Sequence, residues 1–123
     1  MGNKIKKETE VVRECCEWLQ KQGVLFWRSN NLAVFGRSLP KFTPKGLPDI
    51  NVIINGQYAG IEVKREGSET ERENSGRRVR AGLLSPFQAE WGAKLTMHNA
   101  KYEIVRSVEE LEGFVTRWRQ GLL

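Results

Sequence analysis

Four side chains carry the chemistry this sequence can offer: Glu8, Asp49, Glu62 and Lys64. Asn55-Gly56 lies between the apolar runs Ile50–Ile54 and Gln57–Val63, and Asn-Gly between such runs predicts a two-residue type I′ hairpin. Pairing Ile54 with Gln57 and counting outward puts Asp49 directly across from Glu62. Like charges directly opposed are destabilising. Two such carboxylates need a proton or a cation between them, and a hard divalent ion such as Mg²⁺ suits carboxylate oxygens while keeping positions for water and phosphate. Lys64, two residues beyond Glu62, projects from the same sheet face, where an ammonium can hold a water or steady phosphate charge. Each group has a plainer reading taken alone: Asp49 after Pro48 as a turn cap, Glu62 and Lys64 as a solvated strand-edge pair, Glu8 as an acid at a helix start. Their convergence on one place favours the site.

Glu8 enters through the first element. Val11, Val12, Cys15, Trp18 and Leu19 recur at helical spacing, so residues 4–22 read as a helix stopped by Gly23. The apolar stripe centres on the direction of Glu8, whereas Glu10 and Glu14 point toward solvent. An acid on a buried stripe needs a partner, which places Glu8 at the Asp49/Glu62 pair.

The remaining elements frame that pair. Val24-Leu-Phe-Trp27 reads as a buried strand, and residues 28–45 as a loop with a short strand at 33–35. Residues 65–82 carry nine charges and read as a mobile, charged insertion. Ser85-Pro86-Phe87-Gln88 is a capping box with proline at the first helical position, opening a helix to about His98. Lys101–Val105 is a strand, and Ser107-Val-Glu-Glu110 a second capping box opening a helix to about Gln120. The order predicts an α/β domain, a mixed sheet flanked by helices, spanning residues 1–123.

Composition narrows the classes. The 123 residues carry 20 Lys and Arg against 15 Asp and Glu, a net charge of +5, which suits a polyanionic partner. No stretch is apolar enough to span a membrane, and no leader-like apolar core precedes the first helix; a cytoplasmic setting is expected. Adjacent Cys15 and Cys16 read as reduced thiols. One histidine, His98, suits a helix C-terminus, and without a His/Cys cluster zinc is not supported. Ser85 is a cap, not a nucleophile. No phosphate-cradling glycine loop is present, so no nucleotide cofactor is expected.

Gly46-Leu-Pro-Asp49 followed by Glu62-Val-Lys64 resembles the PD-(D/E)xK nuclease signature. More closely, the chain resembles the VRR-NUC (virus-type replication-repair nuclease) family. The likeness rests on Glu8-x-x-Val11, Trp27-Arg-Ser-Asn-Asn31, Gly46-Leu-Pro-Asp-Ile50, Ile61-Glu-Val-Lys64, Leu84-Ser-x-x-Gln88 and Ile104-Val-Arg-Ser-Val-Glu-Glu-Leu111. It covers roughly residues 8 to 112. The chain departs from the pattern at Val12, where the family commonly has glutamine, and in a longer segment between Lys64 and Leu84.

The resemblance implies a restriction-endonuclease-like core and a Mg²⁺- or Mn²⁺-dependent endonuclease. Asp49 and Glu62, with the Val63 carbonyl, would be metal ligands, Glu8 would support the metal, Lys64 would orient the attacking water, and Gln88 would sit beside them. Arg28, Asn30, Arg37, Lys41 and Lys45 before the acids, and Arg77, Arg78 and Arg80 after them, would hold the DNA backbone. The implied substrate is branched DNA, four-way (Holliday) junctions above all, cut by a homodimer in a phage-type replication or repair role. Flap, nicking, restriction-type or RNA-directed cleavage, and a catalytically silent DNA-binding module on the same fold, are the alternatives.

Overall fold

The computed structural model of the chain describes residues 6–29, 41–65 and 84–123. The expected strand at 33–35, Asn30, Arg37, the segment from residue 66 to 83 and its Arg77, Arg78 and Arg80 lie outside the described residues. Among those described, the order is α1 (Glu8–Lys21), β1 (Leu25–Arg28), β2 (Ile50–Ile54), β3 (Gln57–Val63), α2 (Pro86–Met97), β4 (Lys101–Val105) and α3 (Val108–Arg119). The strands form one mixed sheet in the order β1-β2-β3-β4. β1 and β3 each pair antiparallel with β2, and β4 joins β3 in parallel after the α2 crossover.

The hairpin is the one the sequence predicts. Asn55 and Gly56 take φ of 51° and 77°, the two positive values a type I′ turn requires. Ile54 lies opposite Gln57 and Ile50 opposite Ile61, so the ladder leads straight to Asp49 opposite Glu62.

Alternation then sorts the sheet into two faces. Ile50, Val52, Ala59, Ile61 and Val63 join Val11, Val12, Cys15 and Leu19 of α1 and Leu111, Phe114, Val115 and Trp118 of α3 in one core. The other face meets α2. There Gly60 brings β3 against the loop before β2: a Cβ on Gly60 would lie 2.5 Å from Pro48 Cγ and 3.2 Å from Leu95 Cδ1. Gly92 of α2 similarly leaves room for the Tyr102 ring.

Three expectations need correction. α1 starts at Glu8, not at residue 4: Lys6 and Lys7 are not helical, and Lys6 Nζ bonds Glu14 Oε2 at 2.9 Å. Cations are unfavourable at a helix N-terminus, whereas Glu8 and Glu10 in the first turn suit it. β1 is not a buried strand. It lies at the sheet edge with Leu25 62% and Trp27 46% exposed, because only β2 flanks it among the described residues. The Ser107 cap is half a box: its hydroxyl accepts from Glu110 N, but Glu110 Oε1 accepts from Arg106 N rather than from Ser107. The Ser85 box is complete, with His98 as the C-cap of α2. Both cysteines are free; burial pushes the Cys15 thiol up to about 12, leaving it an inert core group.

Candidate active site

The acid pair forms where β2 begins and β3 ends. Asp49 is set by two backbone anchors: its carbonyl accepts from Ser29 N at 3.0 Å, and its Oδ2 accepts from Val63 N at 2.8 Å. Val63, expected through its carbonyl, meets Asp49 through its N–H. Oxygens of Glu8, Asp49 and Glu62 all lie within 4.8 Å of one another. The first turn of α1 thus reaches the acid pair, as the stripe direction predicts.

Glu62 is the innermost of the three, with 1% of its surface exposed. Its Oε1 accepts from Gln88 Nε2 at 2.8 Å and lies 3.7 Å from Lys64 Nζ, while its buried Oε2 has no hydrogen-bond partner among the described residues. Burial chiefly, then the charges of Asp49 and Glu8, push this carboxyl up to about 9 against the pull of Lys64. Burial likewise raises Glu8, opposed by Lys64 and assisted by Asp49. Three carboxyls in one partly dehydrated place are mutually repulsive unless a proton or cation separates them. A buried Glu62 oxygen without a partner, in a cluster of three carboxylates that among the described residues holds no histidine or cysteine, fits a hard divalent cation.

Lys64 is itself buried, 6% exposed. Its ammonium donates to Gln88 Oε1 at 3.0 Å, and the same Oε1 accepts from Ser85 N at 2.9 Å. Gln88 N in turn donates to Ser85 Oγ at 3.1 Å. One amide thus closes the capping box of α2 and bridges the acid to the lysine. The sequence signals the box, but not that its glutamine reaches across to β3.

Two further features escape sequence reading. Gly46, at φ +79°, presses its loop onto α2, since a Cβ there would lie 2.4 Å from the Phe87 carbonyl carbon. The Tyr102 hydroxyl is buried without a partner among the described residues, and burial, then Glu62 and Asp49, raise its pKa. Glycine and tyrosine in these places carry no pattern in the sequence.

Of the expected DNA-backbone residues, Arg28, Lys41 and Lys45 fall within the described segments. Arg28, opposite Ile50 in the ladder, leaves the sheet on the α1 side, where its charge is felt by Cys16. Lys41 and Lys45 are exposed on the loop before Asp49, with Nζ atoms 5.2 Å and 5.0 Å from the ring centroids of Phe42 and Phe87. Phe42 is 93% exposed.

No family model matches the chain, and no curated protein does. Among solved structures, a VRR_NUC domain matches with a TM-score of 0.60 and 20% identity, covering 92% of this chain and 98% of that one. The fold is therefore that of a VRR_NUC domain, a mixed sheet with flanking helices of restriction-endonuclease-like form. The resemblance read from Gly46-Leu-Pro-Asp49 and Ile61-Glu-Val-Lys64 leads to the same fold.

Proposed function

We propose that the chain is a PD-(D/E)xK-type nuclease of the VRR-NUC kind, a divalent-metal-dependent endonuclease that hydrolyses phosphodiesters in branched DNA. The carrying observation is the acid cluster itself: carboxylate oxygens of Glu8, Asp49 and Glu62 within 4.8 Å of one another, beside a buried lysine. Asp49 and Glu62, with the Val63 carbonyl and Glu8 in support, would hold Mg²⁺ or Mn²⁺. A divalent ion in such a place polarises a phosphate oxygen and lowers the pKa of bound water.

The chain's own groups do the rest. Lys64, fixed by Gln88 at 3.0 Å, orients the attacking water and offsets charge that develops on the phosphate. Gln88 keeps that lysine and Glu62 Oε1 apart yet linked. Val63 N and Gln88 Nε2 fix the two carboxylates before substrate arrives, so little reorganisation is left for the reaction. Lys41, Lys45, Arg28 and the basic residues outside the described segments bind the DNA backbone without reading sequence.

A four-way junction is the proposed substrate and a homodimer the proposed form, because two sites related by a two-fold axis match two symmetric incisions. The protein incubated with an end-labelled junction, in Mg²⁺, Mn²⁺ or EDTA, tests both parts. Paired symmetric cuts that EDTA abolishes are expected. One-sided cuts near a branch would replace the junction by a flap, and binding without cutting in any divalent ion would leave only a DNA-binding module.

A further inference from the structure

A cavity of about 250 Å³ lies on the α2 flank, lined by Pro44, Lys45, Phe87, Glu90, Trp91 and Lys94. Both of its walls are continuous with the acid cluster. Lys45 precedes Gly46, which is pressed onto the backbone of Phe87 and Gln88, and Asp49 follows three residues later, a reach of roughly 10 Å at most. Phe87 precedes Gln88, whose amide holds Glu62, and Trp91 follows one helical turn on. The cavity therefore keeps a fixed position relative to the carboxylates.

Its chemistry is that of a flat, partly polar ring system rather than of a bare anion. Phe87 is 50% exposed, and Lys45 Nζ stands 5.0 Å from its centroid. Lys94 is matched by Glu90 at 3.4 Å, whereas Lys45, among the described residues, has no carboxylate partner. A carboxylate in the wall disfavours a phosphate inside but accepts from a base amino group. Aromatic rings beside a cation are what stacked nucleobases use, with the cation left for the strand's phosphate.

We propose that this cavity receives one unpaired nucleobase of the DNA strand whose phosphate lies at the acid cluster, stacked on Phe87 and Trp91 with Lys45 on the adjoining phosphate. This inference rests on the nuclease reading above. Its consequence is a preference for DNA with a frayed or splayed nucleotide next to the cut over continuous duplex.

The test is binding of splayed-arm DNA by fluorescence anisotropy in EDTA, with an abasic site walked through successive positions of the arm. The expected result is one position at which removing the base weakens binding about 10-fold or more. Phe87→Ala abolishes that difference while binding of continuous duplex stays within about two-fold, Phe87→Trp keeps it, and Lys45→Ala weakens every DNA alike. Equal binding of all abasic positions by the unaltered protein, or a base preference that survives Phe87→Ala, overturns the subsite. So does free deoxyadenosine monophosphate that displaces the oligonucleotide at comparable concentration, which marks a mononucleotide site. Cleavage of the same arms with Mg²⁺ is scored in parallel. Cutting without any base preference removes the subsite alone, whereas base preference without cutting in any divalent ion removes the nuclease reading and leaves the cavity assigned.

Discussion

Glu62 is the residue on which the site's electrostatics turn. Its carboxyl sits at about 9 through burial and the neighbouring acids, so the metal-free protein holds it protonated at neutral pH. A carboxyl raised on folding binds its proton more tightly in the native state. Its stabilising contribution is therefore complete below the ordinary carboxylate value and is lost progressively as pH climbs from about 4.5 through about 9. The metal-free protein should accordingly melt at lower temperature at pH 8.5 than at pH 6. Glu62→Gln should flatten that dependence, and Mg²⁺ or Mn²⁺ should restore the unaltered protein selectively at the higher pH; calorimetric melting in EDTA and in metal checks all three. Asp49→Asn and Lys64→Ala should each lower junction cleavage by about 10²–10⁴-fold while DNA affinity changes little, as single-turnover rates beside gel-shift titrations would reveal. Normal cleavage rates in both variants would remove these residues from the site.

At the level of elements, the site depends on two close approaches. Gly60→Ala places a methyl 2.5 Å from Pro48 Cγ, in a strand packed on both faces. The loop must yield, at a cost of about 1–3 kcal/mol, and Pro48 carries Asp49 with it. Urea unfolding should register the loss, and metal titration should register weaker uptake even where the fold survives. Ser85→Ala removes the acceptor for Gln88 N and should cost about 0.5–2 kcal/mol. It should also slow cleavage, because Gln88 then holds Lys64 and Glu62 less firmly; Ser85→Thr should retain both stability and rate. What the sequence makes legible here is local. The Asn55-Gly56 turn fixes the ladder and hence the Asp49–Glu62 opposition, and the Ser85 box fixes where α2 begins. Glu8 is legible because a helical stripe has a computable direction. Burial of β1 is not legible: a four-residue apolar run looks the same at an edge as in the middle, and its place depends on which strand lies beyond it. Nor is the reach of Gln88 to β3, the contact of Gly60 with Pro48 or the Tyr102 hydroxyl, all of which are set by how distant segments pack.

For the molecule as a whole, net charge and form would govern the proposed encounter with DNA. With a charge of +5, binding should weaken steeply with salt, the logarithmic slope falling by about 0.9 for each phosphate contact, and loss of Lys41 or Lys45 should reduce that slope by about one. Light scattering at micromolar concentration should give about twice the 14.1 kDa chain mass, and a value at the chain mass would remove the homodimer. Among the described residues no helix is long and apolar enough to cross a membrane.

The amide of Gln88 joins a helix start to an acid 26 residues away and to a lysine 24 residues away, while Glu8 comes from the far end of the chain. A polypeptide emerging from the ribosome therefore carries its acids long before it can align them. Alignment is complete only when the last of these segments docks, so a chain cut short before α2 would keep its acids and lose the amide that holds Glu62 and Lys64.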